Sequence, residues 1–194
     1  MLFRSEKSIR GSKVGRRKVY KKRGINMPEN DTIINEEFNL EGIELDTLER
    51  VKASTGKILS VDFGDTRTGL AFSDVSRFLA SGIGYVSPGG IDKTAEAVAE
   101  VAKENRAAAI IVGLPVNMDG SEGSRAQRCR KFAMMLKSLT GLPVAMFDER
   151  MTTMTASRYL NETNTRGKKR KGVIDTLSAQ IILQNCLDRM KYMS

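Results

Sequence analysis

From residue 57 onward, short apolar runs of β-favouring residues are followed by segments with helical spacing. Turn residues or glycines close the β-favouring runs, which lie at 58–63, 68–73 and 82–86. A tight turn through Asp65 and Thr66 joins the first two runs, so we expect these two strands to form a hairpin. The apolar period then changes from about two to about 3.6 residues, which predicts an amphipathic helix over 91–105.

The same patterns continue to the end of the chain. They predict a buried strand at 108–112, a helix at 122–139, a strand at 143–147, and two helices around 156–160 and 174–181. The resulting order, β-β-β-α-β-α-β-α-α, predicts an α/β fold in which helices cover both faces of a mixed sheet. We therefore predict a folded domain over residues 57–191.

The first 56 residues differ from this domain in charge. Residues 1–23 carry a net charge of +9 and residues 24–56 one of −6, while the remainder carries +6. The basic segment has little to bury and should be disordered alone. It is a nucleic-acid-binding arm, a solvated tail, or the result of a misassigned start codon. The acidic segment predicts one short helix around 46–53, so residues 1–56 are interpreted as a mostly irregular extension.

Composition excludes several kinds of chemistry. The chain has no histidine, which excludes Ser-His-Asp triads, Cys-His pairs, His-ligated zinc and histidine general bases. Its two cysteines, Cys129 and Cys186, each share an apolar helical stripe and are interpreted as core residues. Without a disulfide framework, a secretory signal or a long apolar run, we expect a cytoplasmic protein with no membrane partner. Any catalysis must then rest on carboxylates.

Carboxylates stand at the ends of two predicted strands and at the start of the last predicted helix. Asp62 lies near the end of the first strand, Asp148 and Glu149 follow the last strand, and Asp175 lies in the first helical turn. The carboxyl ends of parallel strands gather at one edge of a sheet, where these groups can converge. Each residue also has a structural explanation, as a turn former or as an acid favoured by the helix dipole.

Three converging carboxylates repel one another unless a cation lies between them. Oxygen ligands without histidine suit Mg²⁺ or Mn²⁺. Such ions can activate a water and stabilise the leaving oxygen when a phosphodiester bond is hydrolysed. The carboxylates therefore predict a metal-dependent hydrolase of phosphodiesters.

A basic run precedes Asp175, since five of the seven residues 166–172 are Lys or Arg. It is either a flexible clamp on a phosphate backbone or a solvated loop, and its position before Asp175 favours the clamp. A second loop, at 113–120, could present backbone N–H groups to a phosphate. This second signal is weak, because the loop lacks the Gly-Lys-Ser/Thr of a Walker motif.

Four ordered segments carry a resemblance to a known family. They are Val61–Gly64 with Gly69–Ala71, Ile110–Gly120, Asp148–Thr153 with Ala156, and the basic run leading to Asp175, Ala179, Ile182 and Leu183. In this combination the chain resembles the YqgF/RuvX family of pre-16S rRNA nucleases, which are similar to Holliday junction resolvases. The resemblance covers about 57–189, nearly all of the predicted domain.

The resemblance implies an RNase H-like fold, a cytoplasmic location and a role in processing the 5′ end of pre-16S rRNA. It implies metal-dependent nuclease carboxylates at Asp62, Glu149 and Asp175, with Mg²⁺ or Mn²⁺ as cofactor. The expected partner is structured RNA (pre-rRNA) or branched DNA, bound by a monomer or a homodimer. The candidate nucleic-acid contacts are Asn117, Arg150, Lys168, Lys169, Arg170 and Lys171.

Two features depart from the family pattern. Residues 1–56 have no counterpart, and Asp65 stands where a threonine is common, as a fourth carboxylate or as a turn residue.

Other functions remain open beside an RNA endonuclease. A junction resolvase would need a symmetric dimer. Asp62–Thr66 also looks like the phosphate loop of actin-like kinases, but those proteins need a second lobe that about 135 folded residues cannot supply. A non-catalytic RNA-binding factor is the last alternative.

Overall fold

A computed structural model describes residues 38–148 and 168–193, with side chains of the last helix described from residue 174. Its helices are α1 (Leu48–Ala53), α2 (Ile91–Glu104), α3 (Ser124–Thr140) and α4 (Lys168–Lys191). Its strands are β1 (Lys57–Asp62), β2 (Thr68–Ser73), β3 (Ala80–Val86), β4 (Ala107–Leu114) and β5 (Val144–Asp148). Each strand lies close to its predicted position. The helix predicted around 156–160 lies outside the described residues.

The strands form one sheet in the order β3-β2-β1-β4-β5. β1 and β2 are the predicted antiparallel hairpin, β3 extends it, and β1, β4 and β5 run parallel to one another. This arrangement confirms the mixed sheet of an RNase H-like fold. Since β1, β4 and β5 are parallel, their carboxyl ends lie at one edge of the sheet.

Different helices cover the two faces of the sheet. Alternate residues of a strand point to opposite faces, so Leu59 and Val61 of β1 enter a core with α2 and α3, whereas Ile58 enters a core with α1 and α4. Cys129 is buried in the first core and Cys186 in the second, which confirms both as core residues. Burial raises the pKa of the Cys186 thiol to about 12, so this thiol stays protonated at neutral pH.

Residues 38–56 pack against the domain. Val51 of α1 is fully buried beneath α4. The Asp46 carboxylate accepts hydrogen bonds from the Val144 N–H at 2.9 Å and from Lys137 Nζ at 2.8 Å, and the Asp46 N–H donates to the Val144 carbonyl at 2.8 Å. This part of the acidic segment therefore covers edge strand β5. The prediction for residues 1–37 lies outside the described range.

The last helix begins earlier than predicted. The interpretation of 166–172 as a loop is wrong for Lys168–Lys171, which lie in the first turns of α4, and Asp175 is the eighth helical residue rather than one of the first turn. Lys and Arg are good helix formers, and a helical Gly172 costs only about 1 kcal/mol, which the packing of α4 can offset. Within the described ranges, no helix is long and apolar enough to cross a membrane.

Candidate active site

Asp62 is the last residue of β1 and lies at the edge where the parallel strands end. It shares a face with Ile58 and therefore points towards α4, where Ser178 makes a side-chain hydrogen bond to its carboxylate. Burial raises the pKa of Asp62 to about 6. The positive charge of Arg125 opposes this rise, and the negative charge of Asp175 adds to it. Asp62 is thus a largely desolvated carboxyl beside a second acid.

Asp175 is brought to this position because α4 approaches β2 without an intervening side chain. Gly69 of β2 is the register partner of Asp62. A Cβ added to Gly69 would lie 1.8 Å from the carbonyl oxygen of Asp175, so only glycine allows this approach. The structure therefore places Asp175 beside Asp62, and the catalytic role of both stays a prediction.

Arg67, in the turn between β1 and β2, contacts Asp175 directly. Its Nε donates a hydrogen bond to Asp175 Oδ2 at 2.5 Å, and the two side chains are 24% and 25% exposed. The Arg67 guanidinium also lies over the ring of Tyr85 on β3, 5.9 Å from its centre. One oxygen of Asp175 is thereby held by a cation that is itself positioned by an aromatic ring.

The two arginines in the first turns of α3, Arg125 and Arg128, interact with different carboxylates. Arg128 pairs with Asp65 at 2.5 Å, and the Asp65 side chain is 73% exposed. This contact holds Asp65 against α3, which favours its interpretation as a turn residue over a fourth ligand. Arg125 is exposed, and its charge acts on Asp62. The site therefore combines two carboxylates with positive charge at its rim.

In the loop after β4, two of the N–H groups that could face a phosphate, those of Asn117 and Gly120, are used in internal hydrogen bonds. The N–H of Asn117 donates to the Ser121 carbonyl at 2.9 Å, and the N–H of Gly120 donates to the Asn117 carbonyl at 2.9 Å. The N–H of Ser121 donates to the Asp119 carboxylate at 2.9 Å. These N–H groups are therefore not available to a phosphate, and the expectation for the rest of the loop stays a prediction. The Asn117 side chain also donates to Ser121 Oγ at 2.9 Å.

The remaining predicted site residues are not placed by the structure. Glu149 and Arg150 follow the end of β5 in the chain and lie outside the described residues. Lys168–Lys171 belong to α4, but their side chains are not described. Across 38–148 and 168–193, no three acidic or cysteine residues are grouped as a metal site would require. The roles of all these residues stay predictions.

Sequence reasoning missed Arg67 and Arg125. Both are ordinary surface-type residues in their local segments, and no spacing rule connects either to a carboxylate far away in the chain. The available signal for Arg67 was its position two residues before Gly69, between two segments that carry the family resemblance. Ser178 was visible as a same-face neighbour of Asp175 on the helix.

The fold and the paired carboxylates define an RNase H-like protein with an acidic site at the carboxyl edge of its sheet. Residues 56–189 match the family model RuvX, whose description is Holliday junction resolvase. The chain belongs to this family. This membership confirms the resemblance to the family. The prediction of a nuclease, which is a hydrolase acting on ester bonds, depends on that resemblance.

Several relatives are named "Putative pre-16S rRNA nuclease". The chain is 39% identical to that of Rhodopirellula baltica over 139 residues, covering 72% of this chain and 80% of the relative. It is 38% identical to that of Paracoccus denitrificans over 149 residues, covering 77% and 94%. For Caldanaerobacter subterraneus the identity is 40% over 137 residues, covering 70% and 98%.

Among solved structures, RuvC of Thermus thermophilus in complex with a Holliday junction substrate is similar with a TM-score of 0.48 and 15% identity. The match covers 72% of this chain and 98% of that one.

Proposed function

We propose that this chain is a divalent-cation-dependent endonuclease that hydrolyses phosphodiester bonds in structured RNA and processes the 5′ end of pre-16S rRNA. The observation that carries the proposal is the convergence of Asp62 and Asp175 at the carboxyl edge of the sheet. The names of relatives that are 36–41% identical support the substrate class. Asp62, Glu149 and Asp175 are the proposed catalytic residues, and the proposed location is the cytoplasm.

The metal ligands that the described residues offer fit a hard divalent cation. They are carboxylate oxygens, which Mg²⁺ and Mn²⁺ prefer, and the chain offers no histidine. Burial and the nearby charge of Asp175 both make the ionised form of Asp62 less favourable. A cation between the two carboxylates would offset this cost. Asp62 and Asp175, with Glu149 as the proposed third ligand, would hold Mg²⁺ or Mn²⁺. The bound ion would supply an activated water and stabilise charge on the leaving oxygen.

The chain's other residues have separate tasks in this proposal. Ser178 donates to Asp62, and Arg125 provides positive charge at the rim where a phosphate backbone would lie. Lys168–Lys171 at the start of α4 would bind further phosphates and add a salt-dependent term to affinity. Asn117 and Arg150 are proposed as additional contacts to the nucleic acid.

A four-way DNA junction is the second candidate substrate, because the matching family model is described as Holliday junction resolvase. Cutting paired strands symmetrically needs two related active sites and hence a homodimer. Processing one RNA strand carries no such requirement, so a monomer in solution would argue against the junction, whereas a dimer is compatible with both substrates.

The test is a cleavage assay with three substrates: a leader-containing pre-16S rRNA, a four-way DNA junction and a linear duplex. We expect the wild-type protein to cut the rRNA leader with Mg²⁺ or Mn²⁺ and to be inactive with EDTA. Asp62→Asn removes the charge at almost constant volume and should abolish cleavage while the fold is kept. Cleavage of the junction alone would favour the resolvase. Turnover by pure Asp62→Asn protein, or RNA binding without cleavage under any metal, would contradict the nuclease.

The binding role of the basic run has its own test. The double variant K168Q/K169Q should weaken RNA binding and reduce the slope of log affinity against log salt by about one to two. A matched variant, K93Q/K103Q, removes two exposed lysines of α2 that lie outside the site. Equal slopes for the two variants would show that the basic run makes no phosphate contact of its own.

A further inference from the structure

Arg67 is placed on a backbone that the surrounding chain holds tightly. A Cβ added to Gly64 would lie 2.4 Å from the Arg67 carbonyl oxygen, so the turn after β1 folds back closely on itself. The Ser87 hydroxyl donates to the neighbouring Thr66 carbonyl at 2.6 Å and ties the turn to the end of β3. The base of the Arg67 side chain is therefore fixed.

The Arg67 side chain is also fixed along its length. Its Nε donates to Asp175 Oδ2 at 2.5 Å, and its guanidinium lies over Tyr85. Only about a quarter of either side chain of the pair is exposed, so water competes with this contact less than at the open surface. Arg67 thus links the turn after β1 to Tyr85 on β3 and to the Asp175 carboxylate on α4.

The position of the Asp175 backbone does not by itself determine where the Asp175 carboxylate points. Gly69 fixes the main chain of Asp175 against β2, but the side chain can still rotate. Its negative charge repels that of Asp62, which favours rotation away from the shared position. A hydrogen-bond donor on one oxygen opposes that rotation. Such outer contacts to a ligating group affect metal affinity or activity by about 10- to 100-fold.

We infer that Arg67 is the positioning residue of Asp175, which it holds beside Asp62 so that the two carboxylates present their oxygens to one divalent cation. The inference rests on the proposed function, because it assigns a role within that site. It extends the site from its acidic residues to the turn between β1 and β2 and to Tyr85.

The chain supplies a matched control in Arg128. Its pair with Asp65 has the same N–O distance of 2.5 Å, but the two side chains are 55% and 73% exposed, and among the described residues no hydrogen bond or ion pair joins them to Asp62 or Asp175. Removing this second pair should therefore leave a cation site unchanged, although the charge lost is the same.

The experiment measures binding of Mn²⁺ alone to the full chain by isothermal titration calorimetry, with circular dichroism to verify folding. We expect Arg67→Gln to weaken Mn²⁺ binding about 10-fold or more, and Arg128→Gln to change it by less than about twofold. Arg67→Lys keeps the charge but loses the planar donor group, so its affinity should lie between those of wild type and Arg67→Gln.

Unchanged or tighter Mn²⁺ binding by folded Arg67→Gln would overturn the inference, since Arg67 would then compete with the cation. If Arg67→Gln does not fold, Arg67→Met replaces it, and unchanged or tighter Mn²⁺ binding by the folded Arg67→Met protein has the same meaning. A wild type that binds Mn²⁺ but cuts no nucleic acid contradicts the proposed function and leaves the binding comparison valid. A wild type that binds no Mn²⁺ overturns both.

Discussion

The two faces of the sheet differ most clearly at β1, where neighbouring residues of one strand point into surroundings of different polarity. On the face covered by α2 and α3, Leu59 and Val61 are fully buried in an apolar core, and Phe63 stacks on Phe132 with ring centres 4.2 Å apart. On the face covered by α4, Ile58 is followed by Ser60 and Asp62. The Ser60 hydroxyl is buried without a hydrogen-bond partner among the described residues.

This difference indicates that residues on one face mainly stabilise the fold, whereas the candidate active site lies on the other. The α2/α3 face gains free energy from apolar area and stacked rings. The face under α4 accepts a desolvated acid, Asp62, and the Ser60 hydroxyl, which has no partner among residues 38–148 and 168–193; both cost free energy of folding. Substitutions of core residues on the first face should therefore change stability alone, whereas those at the carboxyl end of the second face should affect the site.

The largest expected effect on stability lies on the α2/α3 face. Phe132→Ala removes a fully buried ring and its stacking contact with Phe63, so the free energy of unfolding should fall by about 4 kcal/mol. Cleavage per folded molecule should stay near that of wild type. Urea unfolding and a cleavage assay below the unfolding transition measure the two quantities. Phe78→Ala, at a side chain that is 63% exposed, is the control and should change little. A folded but inactive Phe132→Ala would contradict the division between faces.

Gly69→Ala should affect both properties. Its Cβ would lie 1.8 Å from the Asp175 carbonyl oxygen, so α4 must move away from β2. We expect a loss of about 3 kcal/mol in stability and at least a tenfold loss of cleavage. Gly123→Ala is the control, because its Cβ would meet an ordinary contact at 3.8 Å. Wild-type activity in Gly69→Ala would show that the close approach of α4 does not position Asp175.

Residues 38–56 pack against the cores on both faces of the sheet. Two truncated chains test how much this segment contributes to stability. A chain starting at residue 38 should keep its stability and activity and lose some salt-sensitive RNA affinity. A chain starting at residue 57 loses buried Val51 and the Asp46 contacts to Val144 and Lys137, and should be destabilised by about 2–3 kcal/mol. Thermal unfolding of the two chains makes the comparison. Equal stability would mean that residues 38–56 are dispensable for the domain.

The smallest change in stability should have the opposite sign. Folding raises the pKa of Asp62 from 3.8 to about 6, so the ionised form disfavours the folded state. This penalty is absent below about pH 4, grows as the pH rises and is complete above about pH 6. In EDTA at pH 8, Asp62→Asn should therefore be more stable than wild type, on the order of 2 kcal/mol, and the gain should disappear near pH 4.

Urea unfolding at the two pH values measures this gain. Asp65→Asn is the control, because the Asp65 side chain is 73% exposed and should show no comparable gain. An Asp62→Asn protein that is less stable than wild type at pH 8 would show that the charge of Asp62 is compensated within the fold.

Periodicity predicted the strands and helices well because it reflects burial, which is set locally along the chain. The hairpin of β1 and β2, helices α2 and α3, and the two core cysteines all follow from apolar spacing. The start of α4 did not, because a run of Lys and Arg with glycines on both sides is compatible with a loop or with a helix. Contacts of the helix with β2 and β3, distant in sequence, decide between them.

The sequence by itself determined the strands, most of the helices, the mixed sheet and the acids that are candidates to converge, because each depends on residue type and on short spacing. Only the tertiary structure decided that α4 lies on Gly69, that Arg67 holds Asp175, and that Asp65 turns away to Arg128. These contacts join residues far apart in the chain. Their geometry depends on how closely two elements pack, which no local pattern of hydrophobic and polar positions encodes.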